Sequence, residues 1–224
     1  MTRSNPVNYD FFFTTGMTSV EGIDFYQHAK RALDFLIAGT ALFFSWPLFL
    51  LVALAIKWED GGNVFYWSQR VGRGGRCFEC LKFRSMVVNA EMQKNDIRKL
   101  NKHADERTFK LQHDPRITWL GRWIRRYSID ELPQFWNVLR GDMSVVGPRP
   151  TLPEEVDRYS PLDYSRFDVL PGLTCIWQVS GRGDVPFDQQ IMMDLEYIRR
   201  RSFWLDITLI FRTIPVVISG KGAY

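Results

Sequence analysis

The run Phe35–Ile56, FLIAGTALFFSWPLFLLVALAI, holds 22 residues without a charge. As a helix rising about 1.5 Å per residue it is roughly 33 Å long, enough to cross a hydrocarbon core of about 30 Å. Apolar runs of this length are rare in soluble folds, so the run predicts a membrane helix rather than a buried core helix. Ser45 and Pro47 lie near its midpoint. Pro47 has no N–H to donate and its ring crowds the preceding turn, while the Ser45 hydroxyl is placed to satisfy a freed carbonyl, which predicts a kink. Lys30 and Arg31 precede the run, and Lys57, Arg70, Arg73 and Arg76 follow it. Positive charge on both sides disfavours carrying either end across the bilayer. A re-entrant helix over residues 30–58 is therefore expected, with both ends on one face.

The remaining chain is long enough for one further core, and residues 59–224 are expected to form a small cytoplasmic catalytic domain. Residues 1–29 read as a short leader without the charged, apolar and cleavage regions of a signal peptide. Three cysteines, Cys77, Cys80 and Cys175, give no disulfide framework, which suits a reducing compartment. Cys77 and Cys80 have no second CxxC partner and would point to opposite faces of a strand, so packing is the better reading than zinc or redox chemistry.

Val64–Trp67 and Cys77–Phe83 have strand character, and Gly72-Arg73-Gly74-Gly75 between them predicts a β-hairpin. That loop lacks the GxxxxGK[ST] spacing of a phosphate cradle. Residues from about Val87 to Gln112 are polar, without an apolar stripe, and carry no assigned chemistry. Trp119, Leu120, Trp123, Ile124 and Tyr127 then recur on one helical face, with Arg122, Arg125 and Arg126 on the other, as in a helix lying in a membrane interface or against a core. Phe203–Ile218 is interrupted by Asp206, Arg212 and Pro215 and reads as an interfacial helix rather than a second span. The expected class is α+β and predominantly helical: a re-entrant membrane helix joined to a catalytic domain with a short β-hairpin and interfacial amphipathic helices.

Chemistry concentrates at Asp130-Glu131, adjacent carboxylates among Arg122, Arg125, Arg126 and Arg140. Paired carboxylates among arginines suit a magnesium ion that carries phosphate anions. Ser128-Ile129-Asp130-Glu131 also fits a capping box, although Pro133 sits awkwardly for a helix that starts at Ser128. Gly147-Pro148-Arg149-Pro150 is a stiff loop presenting one long side chain, Arg149, at low entropic cost, as a phosphate clamp or a plain linker. Leu170-Pro171-Gly172-Leu173-Thr174 reads as a turn, and Ser180-Gly181-Arg182-Gly183 as a flexible basic loop.

Together, QRVGRGGRCFECLKFRSM, RRYSIDELPQFWNVLRGDMSVVGPRP, LPGLTCIWQVSGR and the terminal GKGAY resemble the bacterial sugar transferase family, the monotopic phosphoglycosyl transferases that start glycan assembly on a polyprenol carrier. The resemblance covers nearly everything from Lys30 to Tyr224. It implies transfer of a sugar-1-phosphate from a UDP-sugar to undecaprenyl phosphate with release of UMP, at the cytoplasmic face of the bacterial inner membrane and in contact with its phospholipid. It implies Asp130 as the nucleophile that forms a covalent phosphosugar intermediate, and Glu131 beside it at a Mg²⁺ site. It further implies Arg125 and Arg149 as phosphate or nucleotide contacts, with Lys82, Asp194 and Asp206 as supporting residues. The stretches WQVSGR and GKGAY are similar to members that transfer hexose-1-phosphates, so glucose or galactose leads, ahead of an N-acetylated amino sugar. Two departures stand out: Trp46 separates Ser45 from Pro47 where the family has an adjacent Ser-Pro, and Cys175 replaces a common Gly.

A membrane-anchored scaffold without turnover is the alternative, disfavoured by the intact Asp130, Glu131 and Arg149. The net charge of +4 and the 15% aromatic share also suit nucleic acid, but no recognition motif accompanies them, so no nucleic acid partner is expected. Oligomeric state is open, with a homodimer as one option.

Overall fold

The computed structural model describes residues 21–93, 114–220 and 222. Most of the expected leader, most of the polar segment over 87–112, and most of the GKGAY ending lie outside these residues. Helix α1 (Glu21–Asp60) is one 40-residue element that runs through Pro47. Ser45 Oγ donates to the Ala41 carbonyl at 2.6 Å. This is a back-bond one turn towards the N-terminus, of the kind that bends helices. It does not reach the Phe43 carbonyl that Pro47 leaves without its usual donor, so that expectation is corrected. Within Phe25–Asp60 the most apolar 18-residue window has mean hydropathy 2.1 and is 11% buried, so the helix is long and apolar enough to cross a membrane and is not a core helix.

Both ends of α1 dock on the same body. Near its start, Lys30 Nζ donates to the Val146 carbonyl and Asp34 Oδ1 accepts from Ser144 Oγ and the Val145 N–H. Arg31 donates to the Val138 and Leu139 carbonyls at 2.7 and 2.9 Å. These are the final carbonyls of helix α3 (Phe135–Arg140), where a cation complements the helix dipole. Near its end, Val52 and Ile56 pack with Phe83 and Ile124. Glu59 accepts from the Leu120 N–H, and Asp60 pairs with Arg84. Between these anchors Phe43, Phe44, Trp46, Leu50 and Leu51 stay exposed. Lys30 and Arg31, which sequence reasoning places as charges flanking a membrane segment, are used in tertiary bonds.

Strands β1 (Phe65–Val71) and β2 (Cys77–Phe83) form the expected antiparallel hairpin, with Ser68 opposite Cys80. Gly74, at φ 66°, makes the turn between them, so the glycine-rich loop is explained by backbone geometry. Strand β3 (Ser144–Val146) pairs in parallel with β4 (Gly172–Thr174). The latter was expected as a turn. Its strand state depends on close approach: a Cβ at Gly147 would lie 2.5 Å from the Leu170 carbonyl, and one at Gly172 would overlap the Gly147 backbone. Helices α2 (Trp119–Arg126), α4 (Pro153–Val156), α5 (Ile176–Ser180), α6 (Phe187–Arg200) and α7 (Phe203–Ser219) complete the described body. The main core joins Ala38 of α1 to Cys80, Val138, Met143, Val145, Val146, Tyr197 and Leu209.

The apolar stripe of α2 divides. Leu120 and Ile124 pack inward with Phe83, while Trp119 and Trp123 remain exposed. Trp204, Phe211 and Ile218 on α7 are exposed likewise. Large aromatic and apolar side chains are thus left outward on helices beside α1.

Asn137 ties α3 to the hairpin. Fully buried, it accepts from the Leu81 N–H at 2.9 Å and donates to the Glu79 carbonyl at 2.7 Å and to Asp142 at 3.1 Å. Asn137→Ala leaves a buried strand N–H and carbonyl unsatisfied. It is expected to cost about 2–4 kcal/mol of stability, read as a lowered denaturation midpoint in detergent.

Candidate active site

Asp130 and Glu131 sit on a 3₁₀ turn, Ile129–Gln134, that leads directly into α3. Pro133 lies inside this turn and, having no N–H, donates no backbone bond in it. Ser128 precedes the turn with φ 55° and its side chain caps nothing, so the capping box does not form. The Glu131 carboxylate is turned instead toward two cations. Its Oε1 accepts from Lys82 Nζ at 2.7 Å and Arg149 Nη2 at 2.8 Å. Lys82 comes from β2 and Arg149 from the loop after β3. One carboxylate oxygen therefore joins three chain segments.

Electrostatics separate the two acids. Burial alone would raise both. For Glu131, Arg149 and Lys82 overcome it and hold the carboxyl well below the ordinary range, so it remains an anion. For Asp130, 8% exposed, burial prevails: its carboxyl is pushed up to about 6, with Glu131 adding to the rise and Lys82, Arg125 and Arg149 opposing it. No protein hydrogen bond engages the Asp130 side chain among the described residues, so its charge is left for a ligand. A poorly solvated, unengaged carboxylate ringed by cations has the character of a nucleophile or of a ligand for a hard cation.

No group of three or more His, Cys, Asp or Glu side chains among the described residues is arranged to hold a metal alone. Two adjacent carboxylates still fit Mg²⁺, which commonly takes one or two protein carboxylates and completes its shell with phosphate oxygens and water. Of the two, Asp130 is the better donor, since Glu131 Oε1 already serves two cations.

Lys82, Arg125 and Arg149 all act electrostatically on Asp130, so these sequence-predicted residues converge on one centre. Asp194 does not join it directly. Fully buried, it pairs with Arg166 at 2.5 Å, and Arg166 reaches the Arg149 carbonyl at 3.5 Å and the Tyr159 hydroxyl at 2.7 Å. Asp194 thus supports the loop that carries Arg149. Asp206 is farther still from the acidic pair in its bonding. It accepts from Tyr26, Lys30 and Tyr197 at 2.8–2.9 Å, tying α1, α6 and α7 together. Its link to the site is the Val146 carbonyl, which receives Lys30 and Tyr197 three residues before Arg149.

Sequence reasoning missed Arg166 and Arg70. Arg70 donates to the Pro150 carbonyl at 3.2 Å and so braces the far side of the Arg149 loop. Arg166 has no motif around it and Arg70 stands out in the sequence only as a charge following the apolar run, so only the fold reveals what each touches. Cys175 precedes α5 in extended backbone, φ −153°, where a glycine is not required, and its Sγ meets Gln178 at 3.1 Å.

The fold and site define a helical protein with one helix long and apolar enough to cross a membrane and a carboxylate pair in a cationic centre. Residues 25–220 match the family model described as bacterial sugar transferase. The chain is 42% identical over 199 residues to exopolysaccharide production protein ExoY of Rhizobium meliloti, covering 88% of each. It is 44% identical over 201 residues to undecaprenyl-phosphate galactose phosphotransferase of Salmonella typhimurium, covering 87% of this chain and 41% of that one. It is 39% identical over 213 residues to UDP-glucose:undecaprenyl-phosphate glucose-1-phosphate transferase of Xanthomonas campestris, covering 92% and 42%. The chain belongs to the bacterial sugar transferase family.

Asp130→Asn probes the electrostatics apart from turnover. Because the folded carboxyl titrates above its unfolded value, its cost to stability is absent below about pH 4, grows up to about pH 6 and is complete above. In metal-free buffer the variant is expected to be more stable than the parent by about 2–3 kcal/mol at pH 7.5, with the difference gone near pH 4. A variant less stable than the parent at pH 7.5 would contradict this reading.

Proposed function

We propose that this chain is a phosphoglycosyl transferase that moves a sugar-1-phosphate from a UDP-sugar to undecaprenyl phosphate, giving undecaprenyl-diphosphate-sugar and UMP. The observation that carries this reading is the unengaged, buried Asp130 carboxylate beside a Glu131 held by Lys82 and Arg149. The relatives named for undecaprenyl-phosphate transfer of galactose and of glucose-1-phosphate support the substrate class. Glucose or galactose is the proposed sugar.

In the first step an Asp130 oxygen attacks the β-phosphorus of the UDP-sugar. The bond from that phosphorus to the bridging oxygen breaks, the electron pair leaves with UMP, and an aspartyl phosphosugar remains. In the second step a phosphate oxygen of undecaprenyl phosphate attacks the same phosphorus and returns Asp130 as a carboxylate. Neither displacement needs a proton removed, because both the attacking carboxylate and the lipid phosphate are anions. Lys82, Arg125 and Arg149 offset the accumulating phosphate charge. Glu131, kept ionised, orients Lys82 and Arg149. Mg²⁺ held by Asp130 and Glu131 would supply further neutralisation of the diphosphate.

The helix is proposed to be re-entrant. Both ends of α1 bond to one body while its middle is exposed and apolar, which supports entry and exit at the same face. The substrates are nucleotide sugars and the described cysteines are free, which supports the cytoplasmic face of the inner membrane.

UMP release from a panel of UDP-sugars with undecaprenyl phosphate and Mg²⁺ tests the activity. Asp130→Asn is expected to lower it on the order of 10³-fold or more, and label should exchange between UMP and UDP-sugar without lipid. Equal release by both proteins would remove Asp130 as nucleophile, and strict lipid dependence of exchange would remove the covalent intermediate. For topology, Gln27→Cys and Trp58→Cys, each in a cysteine-free background, are expected to react with an impermeant maleimide from the same side. Reaction from opposite sides defeats the re-entrant arrangement.

A further inference from the structure

Among the described residues, two that are not glycine adopt a left-handed backbone, Ser128 at φ 55° and Arg182 at φ 50°. A Cβ makes that conformation costly, so it persists where the surrounding structure holds it, often at functional sites. These two residues are 54 apart in sequence and bonded to each other: Arg182 Nη2 donates to Ser128 Oγ at 3.1 Å. Ser128 gains no helix cap from its conformation, so the hydroxyl's recorded role is to hold the guanidinium. Gly222 lies close beside this loop: a Cβ there would be 3.1 Å from Arg182 Cβ.

The pair stands at a particular place. Ser128, Arg182 and Glu131 line one pocket of about 50 Å³. Thr174 and Gln178 add polar groups to it, and Leu173, Val179, Val216 and Val217 form an apolar wall. Two of those valines lie on α7, whose outer face exposes Phe211, Ile214 and Ile218. Arg182 faces the same centre as Arg149: Glu131 and Asp130 attract it there and Arg149 repels it. Two guanidiniums at one centre suit a phosphate, whose oxygens can accept from both.

We propose that Arg182, oriented by Ser128, is a further phosphate-binding residue of the site, receiving a substrate phosphate on the pocket side of Glu131. Arg182 is the contact and Ser128 the positioning residue. The phosphate is that of the nucleotide or of the lipid acceptor, and the apolar wall on α7 favours the lipid-borne one. The assignment rests on the phosphoglycosyl transfer reading for its choice of ligands, but phosphate binding is measurable without turnover.

The full chain in detergent is titrated with UMP and, separately, with farnesyl phosphate, comparing the parent with Arg182→Lys, Arg182→Gly and Ser128→Gly. Glycine suits the left-handed backbone at both positions, so neither glycine variant should melt below the parent without ligand. Arg182→Gly is expected to weaken one probe by about tenfold or more, the scale of a charged hydrogen bond. Arg182→Lys should weaken it by a smaller factor, because the charge stays and the planar fork is lost. Ser128→Gly should follow the same probe. Loss confined to farnesyl phosphate assigns the lipid acceptor, and loss confined to UMP assigns the nucleotide. Unchanged affinity for both probes in Arg182→Gly overturns the proposal, as does failure of the parent to bind either. Intact binding with no UMP release in the turnover assay would instead defeat the transfer reading alone.

Discussion

One oxygen organises the candidate site. Glu131 Oε1 receives Lys82 from the hairpin and Arg149 from the loop after β3, so three segments far apart in sequence meet at a single partly buried charge. The cations are drawn in because an ionised carboxylate leaving water must be paired. Once Glu131 is paired, its neighbour Asp130 is left buried without a hydrogen bond from any described residue, and burial raises its proton affinity. Loops alone would not hold this arrangement. Asn137 fixes the turn against β2, and Arg70 and Arg166 brace the Arg149 loop through its carbonyls.

The membrane helix belongs to the same mechanical unit. Lys30 donates to the Val146 carbonyl, and Asp34 holds the Ser144 hydroxyl and the Val145 N–H, so the base of α1 grips the strand that leads into Gly147-Pro148-Arg149. Asp206 and Tyr197 complete that grip from α7 and α6. The base of α1 is therefore bonded to backbone within three residues of Arg149. The polar cluster around Asp206 makes no hydrogen bond to the acidic pair among the described residues and joins α1, α6 and α7 instead.

Several site residues were legible because their residue types are unusual for their surroundings. Asp130-Glu131 among arginines, and Arg149 between two prolines, stand out in any reading of the chain. The capping box at Ser128 was equally legible and is absent, because Glu131 gains more from two cations than from one backbone N–H. Asp194 and Asp206 were named as supporting residues through the family resemblance alone; that both are buried, and that they bond to Arg166 and Lys30, was invisible, because nothing local links residues 28 or 176 positions apart. Leu170–Thr174 was read as a turn because proline and glycine signal one, and its strand state depends on Gly147 lying against it.

The sequence by itself determined that a long apolar helix precedes a helical body with a hairpin, and it marked two adjacent carboxylates and a set of cations as the candidate site. Apolar run length, two-residue alternation and glycine punctuation are local properties, and they survive without knowledge of contacts. Only the tertiary structure decided which carboxylate is neutralised and which is left open, since that depends on where Lys82 and Arg149 arrive. It also decided that Lys30 and Arg31 serve the fold and that Ser128 and Arg182 meet in strained backbone beside the acidic pair. Charge, burial and strain are properties of neighbours in space, and the chain acquires those neighbours only when it closes on itself.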